Sequence, residues 1–313
     1  MKNRRSILSS IISRSALVLL AAAVFAGTVR GQAVTVYVAN LGGGTIGQYD
    51  GTNGTAINAS FVAGLNGPIG LIQSGANLMV STAFADNVGV YDAKTGSAVN
   101  ATLVTGLHDP VTLALLGNSL YISNLSGNVG VYNATTGAAI NAAFITSVSS
   151  PTGLAVQGND LWVSSLGGTV GWYNATTGAA NNASLITGLN GGTGIQLYHG
   201  ILYVAAQNAG TIGEYNPYTG AAINASFITG LGGPANFAFF GGNLYVGNQN
   251  SNNVGEYDAT TGTAINPALI TGLNEPQNVV VVPEPATWSL LVGAAAFGLV
   301  CLRRCAGNSQ TAR

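Results

Sequence analysis

Charged residues are the scarcest feature of this sequence. Only 6% of its 313 residues are Asp, Glu, Lys or Arg, against about 25% in an average soluble domain. Between residues 33 and 282 the sole cation is Lys94, and nine carboxylates give this stretch a net charge of −8. Nucleic-acid binding needs several Lys or Arg side chains to neutralise phosphates. This composition therefore makes nucleic acid a poor partner for the central part of the chain.

Cysteine and histidine are almost absent. Cys301 and Cys305 lie near the C-terminus, so the central stretch has no disulfide, thiolate nucleophile or Cys metal ligand. His108 and His199 are far apart in sequence, and Asp109 points away from its neighbour His108 in an extended chain. Neither histidine belongs to a zinc-site or catalytic-triad pattern. No G-x-S-x-G, H-E-x-x-H or phosphate-loop motif occurs, so we expect a protein that is not an enzyme.

Long apolar runs and helical periodicity are also missing from residues 33–282. No run of 18 or more apolar residues occurs there, so no transmembrane helix is expected in this stretch. No sustained 3.6-residue apolar period occurs either, so helix content should be near zero. Glycine is abundant instead, at 45 residues, which is roughly twice the usual ~7%. These features favour an all-β domain with many turns.

One motif recurs six times along this stretch. Its clearest copy, residues 129–141, reads VGVYNATTGAAIN: a β-branched residue, Gly, any residue and Tyr, then Gly five residues later and Asn four residues after that. Successive tyrosines lie 41 or 42 residues apart, and a fixed period of this size indicates a repeat architecture. The six tyrosines are Tyr49, Tyr91, Tyr132, Tyr173, Tyr215 and Tyr257.

Each repeat has the pattern of four short strands. In the fourth repeat, β-rich runs lie at residues 152–157, 161–165, 169–174 and 182–187, divided by Gly, Asn and Asp. Such runs predict antiparallel strands joined by hairpin turns. Four strands in about 42 residues is the size of one propeller blade. The six repeats therefore predict a six-bladed β-propeller.

The two ends of the repeat region predict how the ring closes. The first repeat starts at its second strand, residues 34–39, and residues 276–282 (PQNVVVV) form a first strand with no blade after it. Pairing these two segments would leave no open sheet edge. The six first strands are then predicted to start near Pro68, Pro110, Pro151, Gly192, Pro234 and Pro276.

Most recurring side chains are interpreted as framework. A large residue at one position of every second strand is expected to pack between blades. The Gly two residues before each Tyr is expected to let a neighbouring chain approach. Asn-Ala-Ser/Thr triplets match the N-glycosylation pattern, but structural roles such as turn formation explain them better. The large residues are Tyr37, Met79, Tyr121, Trp162, Tyr203 and Tyr245.

Several segments of the repeat region resemble NHL-type propeller repeats. They are GLNGPIGL at residues 64–71, SPTGLAVQGNDLWVSS at 150–165 and NLYVGNQNSNNVGEYD at 243–258. The resemblance covers residues 34–282 and implies a six-bladed propeller. NHL repeats usually carry Arg or Lys near the third strand, whereas this chain has Thr, Asn or Gly there. The basic surface of RNA-binding members is therefore missing.

The best candidate for a chemical site is the channel end where the first strands begin. Asp109, Glu275, Asn236 and Asn278 lie near these strand starts and offer oxygen ligands for Ca²⁺. Some six-bladed propellers hold a divalent ion in this channel, which implies a lactonase-like hydrolase as the alternative function. Divergence among the copies explains the same residues without a metal.

The N-terminal segment, residues 1–32, has the pattern of a secretory signal peptide. Lys and Arg residues precede an 11-residue apolar core, ALVLLAAAVFA at residues 16–26, and small residues follow it. Cleavage is plausible after Ala26 or Ala33. Arg4-Arg5 faintly resembles a twin-arginine signal, and an ordinary charged segment is the alternative.

The C-terminal segment, residues 283–313, resembles the PEP-CTERM sorting signal. Pro283, Glu284 and Pro285 are followed by 17 uncharged, mostly apolar residues and then by Arg303 and Arg304. The resemblance implies processing by exosortase, a membrane transpeptidase-like protease of Gram-negative bacteria that make exopolysaccharide. A plain C-terminal membrane anchor, held by the positive-inside rule, is the alternative.

These observations together predict an exported, monomeric protein at the cell surface or in the extracellular matrix. The propeller is expected to act as a binding or scaffold module for polysaccharide or another envelope protein. A metal-dependent lactonase-like hydrolase, and a periplasmic assembly factor or carrier, remain as alternatives. Fold alone names no ligand.

Overall fold

The computed structural model of the protein describes residues 34–283. Regular structure there consists of β-strands and one short 3-10 turn, Ala83–Ala85. The strands of the first three repeats are β1 (Val34–Asn40), β2 (Thr45–Asp50), β3 (Ala56–Val62), β4 (Pro68–Ser74), β5 (Asn77–Thr82), β6 (Asn87–Asp92), β7 (Ala98–Thr105), β8 (Pro110–Leu116), β9 (Ser119–Asn124), β10 (Asn128–Asn133) and β11 (Ala139–Ile145). The remaining strands are β12 (Pro151–Gln157), β13 (Asp160–Ser165), β14 (Val170–Asn174), β15 (Ala180–Ile186), β16 (Gly192–Tyr198), β17 (Ile201–Ala206), β18 (Thr211–Tyr215), β19 (Ala222–Ile228), β20 (Pro234–Phe240), β21 (Asn243–Asn248), β22 (Asn253–Asp258), β23 (Ala264–Ile270) and β24 (Pro276–Pro283).

These strands form six antiparallel sheets of four strands each. Five sheets consist of four consecutive strands, and the sixth has the order β24-β1-β2-β3. The first strands of neighbouring sheets contact one another in a ring, β4, β8, β12, β16, β20 and β24, so they surround a central channel. The six-bladed propeller is confirmed, and its first strands begin at the predicted residues.

The ring closes through the pairing of β24 with β1. Val34 lies opposite Pro283, Tyr37 opposite Val280 and Val38 opposite Val279 in an antiparallel register. Val279 is 2% exposed because it packs in the core between the first and last blades. The predicted closure is therefore confirmed, and β1 has a hydrogen-bonded partner on each side.

The large residues of the second strands lie between blades, as predicted. All six are buried, and several also bond to the next blade. The Tyr37 hydroxyl donates to the carbonyl of Ala93 at 2.5 Å, and the Tyr121 hydroxyl donates to that of Ala175 at 2.7 Å. A buried polar tip of this kind needs a partner, and these backbone carbonyls supply it.

The recurring third-strand tyrosines add a second reason for the glycine two residues before them. A Cβ at Gly47 would meet the ring of Tyr49 before any other group, and the same holds for the equivalent Gly171 and Tyr173. This Gly therefore makes room for the Tyr ring two residues later. The predicted close approach of a neighbouring strand also occurs, because a Cβ at Gly89 would lie 2.9 Å from the carbonyl oxygen of Ala101. Burial raises the pKa of all six of these tyrosines, Tyr49, Tyr91, Tyr132, Tyr173, Tyr215 and Tyr257.

The Gly five residues after each Tyr is where one blade approaches the next most closely. Gly137 has φ +72°, and a Cβ there would overlap the carbonyl oxygen of Leu103 in the preceding blade. Gly54 makes the same approach to Leu269 across the closing seam. Glycine adopts a positive φ without strain and has no Cβ, so any other residue at this turn position would be unfavourable.

The recurring Asn and Asp side chains are turn acceptors. Asn133 Oδ1 accepts from the backbone N–H groups of Thr135 and Thr136 at 2.9 Å. Asn141 Oδ1 accepts from the N–H of Ala143 at 3.1 Å, where the fourth strand changes register. The structural interpretation of these residues is confirmed, because equivalent bonds occur in the other blades.

The predictions on the two chain ends fall almost entirely outside the described residues. Pro283 ends β24 and is exposed. Glu284, Pro285, Arg303 and Arg304, the apolar segment between them and the signal peptide all lie beyond residues 34–283. Within that range no helix is long and apolar enough to cross a membrane.

Candidate functional site

The candidate site is the channel mouth, on the face where the first strands begin. The turns between second and third strands lie on this same face, because the strands of each blade are antiparallel. Together they surround a cavity of about 260 Å³. This volume lies just below the roughly 300–1,000 Å³ of common small-molecule sites. The mouth therefore suits a small ligand or the end of a longer chain.

The mouth has an amide side and an apolar side. One turn position, directly after the second strand, is occupied by Leu41, Leu125 and Leu166 in three blades and by Gln207 and Gln249 in two neighbouring blades. The Gln207 Nε2 donates to the Gln249 Oε1 at 2.5 Å. The site thus offers Leu125 and Leu166 on one side and a fixed pair of amides on the other, with Leu41 on the amide side.

The first strands add further amides to the same side. Gln277, Asn278 and Asn236 line the cavity, and Asn236 and Asn278 are buried. The Oδ1 of Asn236 accepts from the backbone N–H of Phe237 at 2.8 Å. The Nε2 of Gln277 is buried and has no hydrogen-bond partner among the described residues. Leaving a buried donor unpaired costs about 1–3 kcal/mol, so this nitrogen would gain from an acceptor atom of a ligand once a turn of the Gln277 side chain exposes it to the cavity.

The four predicted Ca²⁺ ligands are divided between two places. Asn236 and Asn278 lie in adjacent blades and line the cavity, whereas Asp109 and Glu275 do not line it and are exposed. No group of three or more His, Cys, Asp or Glu side chains able to hold a metal occurs within residues 34–283. Ca²⁺ normally takes six to eight oxygen ligands, carboxylates among them. The neutral donors inside the cavity fit it poorly, and the metal site stays a prediction.

Asp109 and Glu275 have a backbone role that the sequence did not indicate. Both have positive φ values, near +50°. The N–H of Asp109 donates to Asp86 Oδ1 at 2.9 Å, and the N–H of Glu275 donates to Asn252 Oδ1 at 2.8 Å. Each bond ties the start of a first strand to the second–third turn of the preceding blade. Loop geometry therefore explains why Asp109 and Glu275 lie at the same position of their repeats.

The buried serines near the channel are also structural. Ser81, Ser123 and Ser164 are each 0% exposed at equivalent positions of the second strands. Their hydroxyls donate across the blade boundary, to the carbonyls of Val111 at 2.7 Å, Thr152 at 2.7 Å and Thr193 at 2.5 Å. A hydroxyl committed to a neighbouring strand and closed to solvent is poorly placed to act as a nucleophile.

The comparisons with known proteins identify the fold and no family. No protein-family model matches this chain, and no curated protein matches it. A chain in the crystal structure of a nidogen/laminin complex is similar over 79% of this chain and 98% of its own length, with a TM-score of 0.68 and 15% identity. The computationally designed protein Ika8 is 20% identical over 76% of this chain and 72% of its own, with a TM-score of 0.47. At 15% identity the first similarity shows the propeller fold alone.

Proposed function

We propose that the protein is an exported binding protein whose channel mouth takes a neutral, polyhydroxylated ligand such as an oligosaccharide. The observation that carries this proposal is the buried, unpartnered Nε2 of Gln277 beside the Gln207–Gln249 pair. A sugar hydroxyl accepts from such a nitrogen and donates to amide oxygens. Leu125 and Leu166, on the other side of the mouth, supply apolar contact for the carbon face of the ring.

Charge supports the choice of a neutral ligand. The side chains that line the cavity are amides, hydroxyls and aliphatic groups, without a charged residue among them. An anionic ligand would meet no cation there, and the repeat region as a whole carries a net charge of −8. Binding should therefore depend little on ionic strength, because screening acts on charges.

The proposed site is tested by isothermal titration calorimetry of the full chain with maltotriose, cellotriose and mannotriose. At least one of these neutral trisaccharides should bind, with less than a twofold change in Kd between 50 and 500 mM NaCl. Gln277→Ala should weaken that binding at least fivefold, since it removes the donor. Gln157→Ala, an exposed residue at the opposite end of a first strand, is the matched control and should change nothing.

Two results would count against this site. Equal binding by wild type and Gln277→Ala would place the ligand elsewhere. A steep loss of binding with added salt would show that charges carry the recognition.

We further propose that the protein is exported and then processed by an exosortase-type system, with surface or matrix association as the outcome. The support is in the sequence: a signal-peptide pattern at residues 1–32 and the Pro283–Glu284–Pro285 motif followed by an apolar segment and two arginines. The intact mass of protein from the native envelope should lack both ends. A fully exported pool that retains residues 305–313 would contradict processing and favour the plain anchor.

A further inference from the structure

Two aromatic residues that depart from the repeat pattern, Trp172 and Tyr218, meet the recurring Trp162 at one seam. Blade four carries Trp162 and Trp172, and the next blade carries Tyr218. At the position of Trp172 the other blades have Gln48, Val90, Val131, Glu214 and Glu256. At the position of Tyr218 they have Thr52, Lys94, Thr135, Thr176 and Thr260. Trp172 and Tyr218 are therefore additions to the framework that pack on one of its recurring residues.

The rings of Trp162, Trp172 and Tyr218 pack against one another at steep angles and form a corner at the protein surface. Tyr218 lies 5.2 Å from Trp172, at 69° between ring planes, and 6.1 Å from Trp162, at 59°. Trp162 is 0% exposed, and its Nε1 donates to the carbonyl of Pro217 at 2.7 Å, which anchors the turn that carries Tyr218. Tyr218 nevertheless stays 51% exposed. A large ring is thus held rigidly in place while much of its surface faces solvent.

A carboxylate completes the corner. Asp160 Oδ1 accepts from Trp172 Nε1 at 2.8 Å, which fixes the half-buried indole. Asp160 also departs from the pattern, since the five equivalent positions hold Thr35, Asn77, Ser119, Ile201 and Asn243. Lys94, the one cation of residues 34–283, lies in another blade. The corner therefore combines aromatic surface with a hydrogen-bond acceptor and has no cation beside it.

This chemistry fits a neutral sugar ring. A pyranose has an apolar C–H face that packs on an aromatic ring, and hydroxyls at its rim that donate to a carboxylate. Tyr and Trp give large, rigid, amphipathic contact area at a low entropic cost. Acidic sugars are disfavoured by Asp160. A quaternary ammonium would need ring faces enclosing it, whereas the 69° angle and the exposure of Tyr218 give an open corner.

We propose that Tyr218, Trp172 and Asp160 form a stacking platform for a neutral polysaccharide. It lies at the turns between first and second and between third and fourth strands, on the face opposite the channel mouth. One open platform binds one ring weakly, so a polymer that presents many rings is the fitting partner. This site does not depend on the channel mouth, and either can fail without the other. Two sites on opposite faces would let one molecule join two glycan chains.

The repeats themselves supply the test variants. Tyr218→Thr and Trp172→Val introduce residues that other blades carry at those positions, so the blade should still form. Mobility of the full chain is measured in native gels containing dextran, laminarin or galactomannan. At least one polymer should retard the wild type, and each substitution should raise the apparent Kd at least tenfold. Tyr218→Phe keeps the ring and should stay within threefold of wild type.

Two controls separate this site from others. Phe84→Ala removes a 64% exposed aromatic from the opposite face and should leave retardation unchanged. Gln277→Ala should also leave it unchanged, because that residue belongs to the channel mouth. Thermal unfolding of every variant shows that it is folded at the assay temperature.

Fluorescence gives a readout that a purely structural role would not produce. With Trp288→Phe, the chain keeps only Trp162 and Trp172 as indoles, and only Trp172 is reachable by a ligand. The retarding polymer should shift the emission, and Tyr218→Thr should abolish that shift although Trp172 remains. No retardation of the wild type by any polymer, equal retardation of Tyr218→Thr, or displacement of the polymer by millimolar choline would overturn the proposal.

Discussion

Replacing Gly137 with Ala is expected to destabilise the propeller by at least about 3 kcal/mol, or to prevent soluble expression. Two costs add at this residue. A side chain at φ +72° costs roughly 1–2 kcal/mol. The new Cβ would also overlap the Leu103 carbonyl of the preceding blade, and forced overpacking costs typically 1–3 kcal/mol or more. Urea unfolding followed by circular dichroism measures the loss.

Gly106→Ala is the matched control for this substitution. Gly106 has φ +71°, and nothing lies within 4 Å of a Cβ built there. It should therefore show only the conformational cost, about 1–2 kcal/mol. Equal losses at Gly106 and Gly137 would contradict the close inter-blade approach, because backbone strain alone would then explain both.

Deleting residues 277–282 is expected to cause the second large effect. The deletion removes most of β24, leaves β1 unpaired on one side and exposes core surface of two blades. Val279 is fully buried and contributes about 1.5–3 kcal/mol, and three half-buried valines and the lost strand pairing add to this, so the loss is a large part of a typical stability of about 5–15 kcal/mol. We expect aggregation or a loss of the cooperative thermal transition. A chain that ends at Pro283 keeps β24 and should melt like the full chain.

One outcome would disprove the closure. If the deleted chain unfolds cooperatively at the temperature of the intact chain, the pairing of β24 with β1 does not hold the ring. An exposed strand edge of this length also predicts association, which light scattering detects.

The propeller framework was predictable from the sequence because its repeat motif occurs six times. The number of repeats gives the number of blades. Residues 276–282 are a first strand with no blade after it, and pairing them with the first repeat avoids an open sheet edge. The role of the Gly before each Tyr was predicted only in part, for a physical reason. The ring of Tyr49 folds back over Gly47 within one strand, and a linear pattern does not show which group fills the space above a glycine.

The candidate site was predictable only in part. Asn236 and Asn278 line the cavity, a position that follows from the start of each first strand, and their role as metal ligands stays a prediction. Asp109 and Glu275 were chosen for their charge, but both are exposed and neither lines the cavity. Gln277 was missed although it lies beside Asn278. Its significance rests on the lack of a partner for one buried nitrogen, which only three-dimensional packing reveals.

The aromatic corner was missed for a related reason. Trp172 and Tyr218 belong to different repeats, and comparing the copies draws attention to what recurs. Departures from the pattern at Trp172, Tyr218 and Asp160 become informative only once the seam between two blades brings them together.

The most direct test of the channel-mouth proposal is a crystal structure of the protein soaked with both a neutral trisaccharide that binds in solution and Ca²⁺. We expect the sugar at the channel mouth, with an oxygen within hydrogen-bond distance of Gln277 Nε2 and no metal at the Asn236–Asn278 side. A Ca²⁺ ion held by Asn236 and Asn278 together with the carboxylate of Asp109 or Glu275, and no sugar beside Gln277, would contradict the binding-protein account and favour the metal-dependent hydrolase.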